Sequence, residues 1–139
     1  MLELQSLKKA ISSLEALLQK TLDNKFMLQL DETTRYGLKA GVIQNFEFTY
    51  ELCWKFMKRW LENNIGNVYV EGAARRELFR LSAEHHLIDN IEAWMDYHYA
   101  RNETVHTYDR DKSDEVFAVV SGFLLDAKKL LKNLEAHNA

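Results

Sequence analysis

Apolar residues recur at steps of three and four along most of the chain, which is the signature of helices with one face buried. Leu4, Leu7, Ile11, Leu14 and Leu18 make one such stripe, widened by Leu17 and Leu22, and predict a first helix over Leu2 to Leu22. The run Asp31 to Thr34 offers N-cap chemistry for a second helix. That helix is predicted from Glu32 to Asn63, with Val42, Phe46, Thr49, Cys53, Phe56 and Trp60 facing inward. Ile43, Phe48, Leu52, Trp54 and Met57 give it a second apolar face, so it should meet two partners. It should end in the segment Asn63 to Asn67, with Gly66 beyond the last turn.

A shorter helix is predicted over Glu71 to Ala83, carrying Ala74, Leu78 and Leu81, and His85-His86-Leu87 reads as a turn. A fourth main helix should start after Asp89 as N-cap, carry Ile91, Trp94 and Met95 with His98 on the same side, and run into the segment Arg101 to His106. Tyr108 to Ser113 is polar and loop-like, and Asp111 with Asp114 resembles a capping arrangement. Val116, Val120, Phe123, Ala127, Leu130 and Leu134 then mark the last helix. Short links between long helices imply antiparallel neighbours. The predicted fold is all-α: an antiparallel up-down bundle of four main helices plus one short one. The surplus apolar surface on the second helix, Phe48 and Trp54 included, further predicts a homodimer.

Composition sharpens this picture. The chain has 139 residues, so residues 1–139 are read as one domain. It has no proline and five glycines, too few for a turn-rich β fold. Cys53 is the only cysteine, which rules out an intrachain disulfide. No apolar run reaches the ~20 residues of a membrane helix, and the amino-terminal stretch lacks the continuous apolar core of an export signal. The expected compartment is the cytoplasm, with no membrane partner. A formal net charge of −3 gives no global attraction for nucleic acid, so any RNA contact must be local. The local basic groups are Lys55, Lys58 and Arg59, and the cluster Arg75, Arg76 and Arg80, each of which also fits a solvated helix face.

The candidate chemistry lies between Arg101 and Tyr108. Arginine binds phosphate with a two-pronged fork and histidine exchanges protons near neutral pH. Together Arg101 and His106 suit metal-free RNA cleavage, with the 2′-hydroxyl attacking the adjacent phosphorus and Asn102 in support. Five residues of an unbroken helix turn through about 500°, which sets Arg101 and His106 about 140° apart. They would converge only if the helix loosens before His106, where Thr104, Val105 and Thr107 are β-branched, or across a dimer. The plainer alternative makes His106 a helix end that tempers the dipole and Arg101 an ordinary surface cation. Glu103 and His106 also form a Glu-x-x-His, as in dimetal bundles, for which Glu47 and Glu51 would add carboxylates. The chain has no second Glu-x-x-His, so no metal is expected. Adjacent His85 and His86 diverge on a helix and make a poor chelating pair. His98 reads as a hydrogen-bonded core histidine, and Cys53 as packing.

Two segments together carry a resemblance. QNFEFTYELCWKFMKRWLE, residues 44–62, and RNETVHTYD, residues 101–109, resemble the HEPN superfamily, in the branch of nucleotidyltransferase substrate-binding proteins or HepT-like toxins. The likeness covers nearly the whole chain in helix order. It implies a dimeric helical bundle paired with a minimal nucleotidyltransferase in a two-component, toxin–antitoxin type module. It implies a metal-independent RNase with Arg101 and His106 as the catalytic pair and Asn102 supporting them. Tyr108 would be the site of AMP attachment by the partner, which would bring its own ATP and Mg²⁺, so this chain needs no cofactor. The alternative within the family is a non-catalytic subunit that binds a substrate or nucleotide and docks the nucleotidyltransferase. One feature departs from a typical RNA-binding surface: Glu103, Asp109 and Asp111 crowd the motif with negative charge.

Overall fold

The computed structural model describes residues 2–138. Its elements are α1 (Gln5–Leu22), α2 (Asn24–Leu28), α3 (Glu32–Ile65), α4 (Asn67–Val70), α5 (Arg75–Glu84), α6 (Ile91–Glu103), a 3-10 turn (Thr104–His106) and α7 (Arg110–Ala136). The four main helices and the short α5 are those the periodicity predicts. The one-turn helices α2 and α4 carry too few residues to show a period.

Several boundaries differ from expectation for local reasons. The first helix begins at Gln5, and Glu3 accepts from the Gln5 amide at 3.0 Å. Asp31 caps α3 as expected, its carboxylate accepting from the Thr34 amide at 2.7 Å. The short helix starts at Arg75 because Gly72, at φ +75°, turns the chain after α4. Asn90, not Asp89, caps α6 by accepting from the Ala93 amide at 3.0 Å. Asp109, not Asp111, caps α7, accepting from Asp111 at 2.9 Å and Lys112 at 3.4 Å. Gly66 ends α3 at φ +96°, a conformation that disfavours any Cβ. His86 closes α5 at φ +62°, with Leu87 N–H bonded to the Ser82 carbonyl. That is a left-handed helix end with histidine in the place glycine usually takes.

Cross-links between helices give their directions. Thr49 reaches the Ala10 carbonyl and Ser13 reaches Asn45, so α1 and α3 are antiparallel. Lys8 pairs with Glu135 and Glu15 with Lys128, so α1 and α7 are antiparallel as well. On α6, Glu103 lies near Lys112 of α7 while Tyr97 bonds Asp126 further on, so this pair is antiparallel too. Glu32 meets Arg110 and Phe46 meets Phe123, which leaves α3 and α7 parallel. This is the up-down order of a four-helix bundle.

The core is continuous across these helices. Phe123 is fully buried and takes ring edges from Phe46, Trp94 and Tyr97 at centroid distances of 4.9, 5.9 and 5.3 Å. It therefore ties α7 to both α3 and α6. Cys53 is buried in this core as packing, and burial pushes its thiol well above the ordinary range. The second apolar face of α3 divides: Ile43 and Met57 are buried, whereas Leu52 and Trp54 are half-buried and Phe48 is 62% exposed. Leu22, read as core, is exposed at the end of α1. No helix among the described residues is long and apolar enough to cross a membrane.

Candidate functional site

The carboxyl end of α6 presents its polar side chains to α3. Glu47 and Glu51, four residues apart, share one face of α3 and meet Arg101 there. Arg101 Nε donates to Glu51 Oε1 at 2.8 Å, and Arg101 Nη2 lies 3.5 Å from Glu47 Oε1. The other Glu51 oxygen accepts from Trp54 Nε1 at 2.9 Å. Arg101 is thus no ordinary surface cation. Its side chain is only 26% exposed and is held on two sides, with Nη1 engaged by neither carboxylate. The same two glutamates were the carboxylates a dimetal site would have used. Here they serve the guanidinium, and Glu103 faces Lys112 at 3.8 Å. Among the described residues no group of three or more His, Cys, Asp or Glu side chains is placed to hold a metal ion.

One turn earlier on α6 stands His98. Its Nδ1 lies 2.9 Å from the Tyr50 hydroxyl and its Nε2 lies 3.4 Å from Asn102 Nδ2. The ring thus bridges Tyr50 and Asn102, with one nitrogen donating and the other accepting in its neutral form. Burial first, and then the charge of Arg75, lowers the His98 pKa below its ordinary 6.5, which keeps the ring neutral. Burial also raises the Tyr50 phenol far above its ordinary range. Asn102 is therefore tied to His98 on its own helix, rather than to His106.

Beyond Glu103 the backbone tightens instead of loosening. Thr104 Oγ1 donates to the Arg101 carbonyl at 2.7 Å, and Thr107 Oγ1 donates to the Thr104 carbonyl at 2.9 Å. These hydroxyls satisfy carbonyls at the end of α6 and accompany the passage to a 3-10 turn. A 3-10 turn rotates about 120° per residue, against 100° in an α-helix, so Arg101 and His106 leave the axis about 180° apart. The loosening before His106 that would let them converge within one chain is not seen; the turn tightens instead.

His106 is exposed, and its ring stands edge-on to Tyr108 with centroids 6.3 Å apart. Tyr108 itself is 83% exposed. The loop is anchored from behind by Tyr36, whose hydroxyl donates to the Thr107 carbonyl at 3.3 Å. Arg110 lies over the Tyr36 ring at 4.9 Å and pairs with Glu32 at 2.5 Å. Part of the negative charge read around the motif is occupied: Glu103 faces Lys112, and Asp109 is spent on the α7 cap.

Sequence reasoning missed Tyr50, and it did not foresee Glu47 and Glu51 as partners of Arg101. The four-residue spacing of the glutamates was the available signal, but the Arg101 partner lies 50 positions away.

Comparison with known proteins follows the same segments. The family model described as "Nucleotidyltransferase substrate binding protein like" matches residues 2–136. A Haemophilus influenzae protein named as a probable ribonuclease HepT is 35% identical over 138 residues, covering 99% of this chain and 94% of that one. A solved structure of HI0074, also from Haemophilus influenzae, is described as revealing the fold of a substrate-binding domain of a nucleotidyltransferase. It superposes with a TM-score of 0.93 at 33% identity, over 96% of this chain and 99% of that one. A solved structure from Thermus thermophilus shares the fold, with a TM-score of 0.74 at 24% identity over 92% of this chain and 98% of that one.

Proposed function

The chain belongs to the nucleotidyltransferase substrate-binding protein family, and on that premise we propose that it is the helical partner of a minimal nucleotidyltransferase in a two-component, toxin–antitoxin type module, acting as a metal-independent endoribonuclease. The observation that carries this reading is the Arg101-Asn102-x-x-x-His106-x-Tyr108 run at the solvent-facing end of α6, in a chain similar to one named a probable ribonuclease.

The chemistry needs two copies of the chain. Arg101 is held against α3 and His106 is exposed, and in this reading Arg101 of one copy meets His106 of the other across a dimer cleft. Phe48 and Leu52 on the open face of α3, beside Glu47 and Glu51, supply apolar surface for that pairing. His106 takes the proton of a 2′-hydroxyl, the freed oxygen bonds to the adjacent phosphorus, and the bond to the 5′ oxygen breaks. The departing 5′ oxygen takes its proton from water, so one histidine serves each site. Arg101 offers Nη1 to the phosphate oxygens while Glu47 and Glu51 hold the rest of its fork. Asn102 supports the site through His98.

Tyr108 is the acceptor for AMP, which the partner attaches using its own ATP and Mg²⁺. The added anion would lie beside His106 and compete with RNA phosphate for Arg101. A second reading, a non-catalytic subunit that docks the nucleotidyltransferase and presents a substrate or nucleotide, is favoured by one observation: two carboxylates already neutralise Arg101.

The test is RNA cleavage in excess EDTA by the wild type and by His106→Ala, both expressed without a nucleotidyltransferase. Cleavage by the wild type alone, leaving 2′,3′-cyclic phosphate ends, supports the ribonuclease. No cleavage by either protein, with Tyr108 shown to be bare by intact mass, favours the docking subunit.

A further inference from the structure

Beside the Arg101 cluster, between α3, α4 and the start of α5, lies a cavity of about 250 Å³ walled by Trp54, Lys58, Gly72, Ala73 and Arg75. Three features of its wall point to one kind of ligand. The first is Arg75. Its guanidinium lies 3.6 Å from the centre of the Trp54 ring, and its buried Nε has no hydrogen-bond acceptor. A buried charged donor left unpaired is costly and uncommon. The second is the charge around it. Arg76 is paired with Glu92, and Arg80 with Glu77 and Glu84, whereas neither Arg75 nor Lys58 has a carboxylate within ion-pair distance among the described residues. The third is the backbone. Ala74 starts α5 without a side-chain cap, next to the small residues Gly72 and Ala73 that line the cavity. Two cations without a carboxylate partner, on a wall of small residues, suit a compact tetrahedral anion.

One wall residue of the cavity is linked to Arg101. Trp54, which fixes the Arg75 plane by stacking, donates to Glu51, and Glu51 accepts from Arg101. The charge of Arg75 reaches this group as well, since it helps to lower the His98 pKa.

We infer that this cavity is a phosphate subsite, in which Arg75 and Lys58 hold a backbone phosphate of the RNA strand presented to Arg101 and His106. The choice of RNA rests on the function proposed above; the preference for a phosphate rests on the cavity alone. Trp54 holds the guanidinium by stacking, so Arg75 binds the strand from a fixed position and takes no part in proton transfer.

The test uses a fluorescein-labelled oligoribonucleotide of about ten nucleotides with every 2′-hydroxyl methylated. It cannot be cut, so binding is read apart from cleavage. Anisotropy titrations at several salt concentrations compare the wild type with Arg75→Gln, Arg75→Lys, Lys58→Gln and Arg76→Gln, each checked for folding by circular dichroism. Arg75→Gln should weaken binding about ten-fold and flatten the plot of log affinity against log salt by about 0.7. Arg75→Lys keeps the charge but loses the fork and the stack, and should fall between the two. Arg76→Gln, outside the cavity, should stay within about two-fold of wild type. If Arg75→Gln does not fold, Lys58→Gln and Arg75→Lys carry the comparison. Binding that is absent in the wild type, or equal in the wild type and the cavity variants, overturns the subsite. So does Arg75-dependent binding of ATP without binding of the oligonucleotide. Arg75-dependent binding in a protein that cuts no RNA would sink the cleavage reading and leave the subsite standing.

Discussion

Phe123→Ala should be among the most damaging single changes in this chain. The ring is fully buried and meets Phe46 of α3 and Trp94 and Tyr97 of α6 edge-on. Truncating a buried phenylalanine costs about 3–5 kcal/mol. Contacts from two other helices limit collapse into the void, so the upper half of that range applies, near ~4 kcal/mol. A chain of this length has a melting entropy of about 0.3 kcal/mol per kelvin, which converts the loss into a fall in Tm of about 14 °C. Phe123→Leu keeps most of the apolar burial but loses the edge-on contacts, each worth about 0.5–1.5 kcal/mol, and should cost about 2 kcal/mol. Urea unfolding followed by circular dichroism at one fixed chain concentration, with calorimetry for Tm, measures both. The fixed concentration matters because a dimer would make stability depend on it. A loss below about 2 kcal/mol for Phe123→Ala, or a Phe123→Leu protein as stable as wild type, would refute the reasoning that this ring joins the three helices.

His98 makes stability depend on pH. Its folded pKa lies below the ordinary 6.5, so between those two values the unfolded chain binds more protons and stability rises with pH. The contribution is complete above about pH 6.5 and declines on acidification, and His98→Gln should show a shallower fall in urea midpoint from pH 7 to pH 5. Asp31→Ala removes the α3 cap and should cost about 1 kcal/mol in the same unfolding assay, while Asp31→Asn should cost far less. His86→Gly relieves a left-handed φ of +62° and should stabilise by about 0.5–1 kcal/mol; a loss of that size would mean the His86 ring contributes more than its backbone costs.

The four main helices were legible because each spends three turns or more on one core, long enough for Leu7, Leu14, Phe46 or Val120 to recur in phase. The helix starts were less legible, since neighbouring residues compete for the same cap. Asp89 and Asn90 both fit, as do Asp109 and Asp111, and only the chain path chooses. At the site, the motif could be read from Arg101 to Tyr108, but its surroundings could not. Glu47 and Glu51 meet Arg101 from 50 or more positions away, and Tyr50 meets His98 from 48. Pattern along a chain carries local periods; it does not carry which face of α3 lies beneath α6. The turn at Thr104 shows the same limit. Its β-branched residues signalled a weak helix end, and the direction of the change, tighter and not looser, depended on where the threonine hydroxyls found acceptors.

The central claim is that Arg101 and His106 work together from two copies of the chain. Arg101→Ala and His106→Ala should each be inactive on RNA in excess EDTA. Mixed in equal amounts and allowed to exchange subunits, they should recover about a quarter of wild-type cleavage, because half of the dimers would carry one intact site of two. Wild type that cuts RNA while the mixture stays inactive, under conditions where exchange is demonstrated, would contradict the shared site. Wild type with Tyr108 bare that cuts no RNA would contradict the ribonuclease itself.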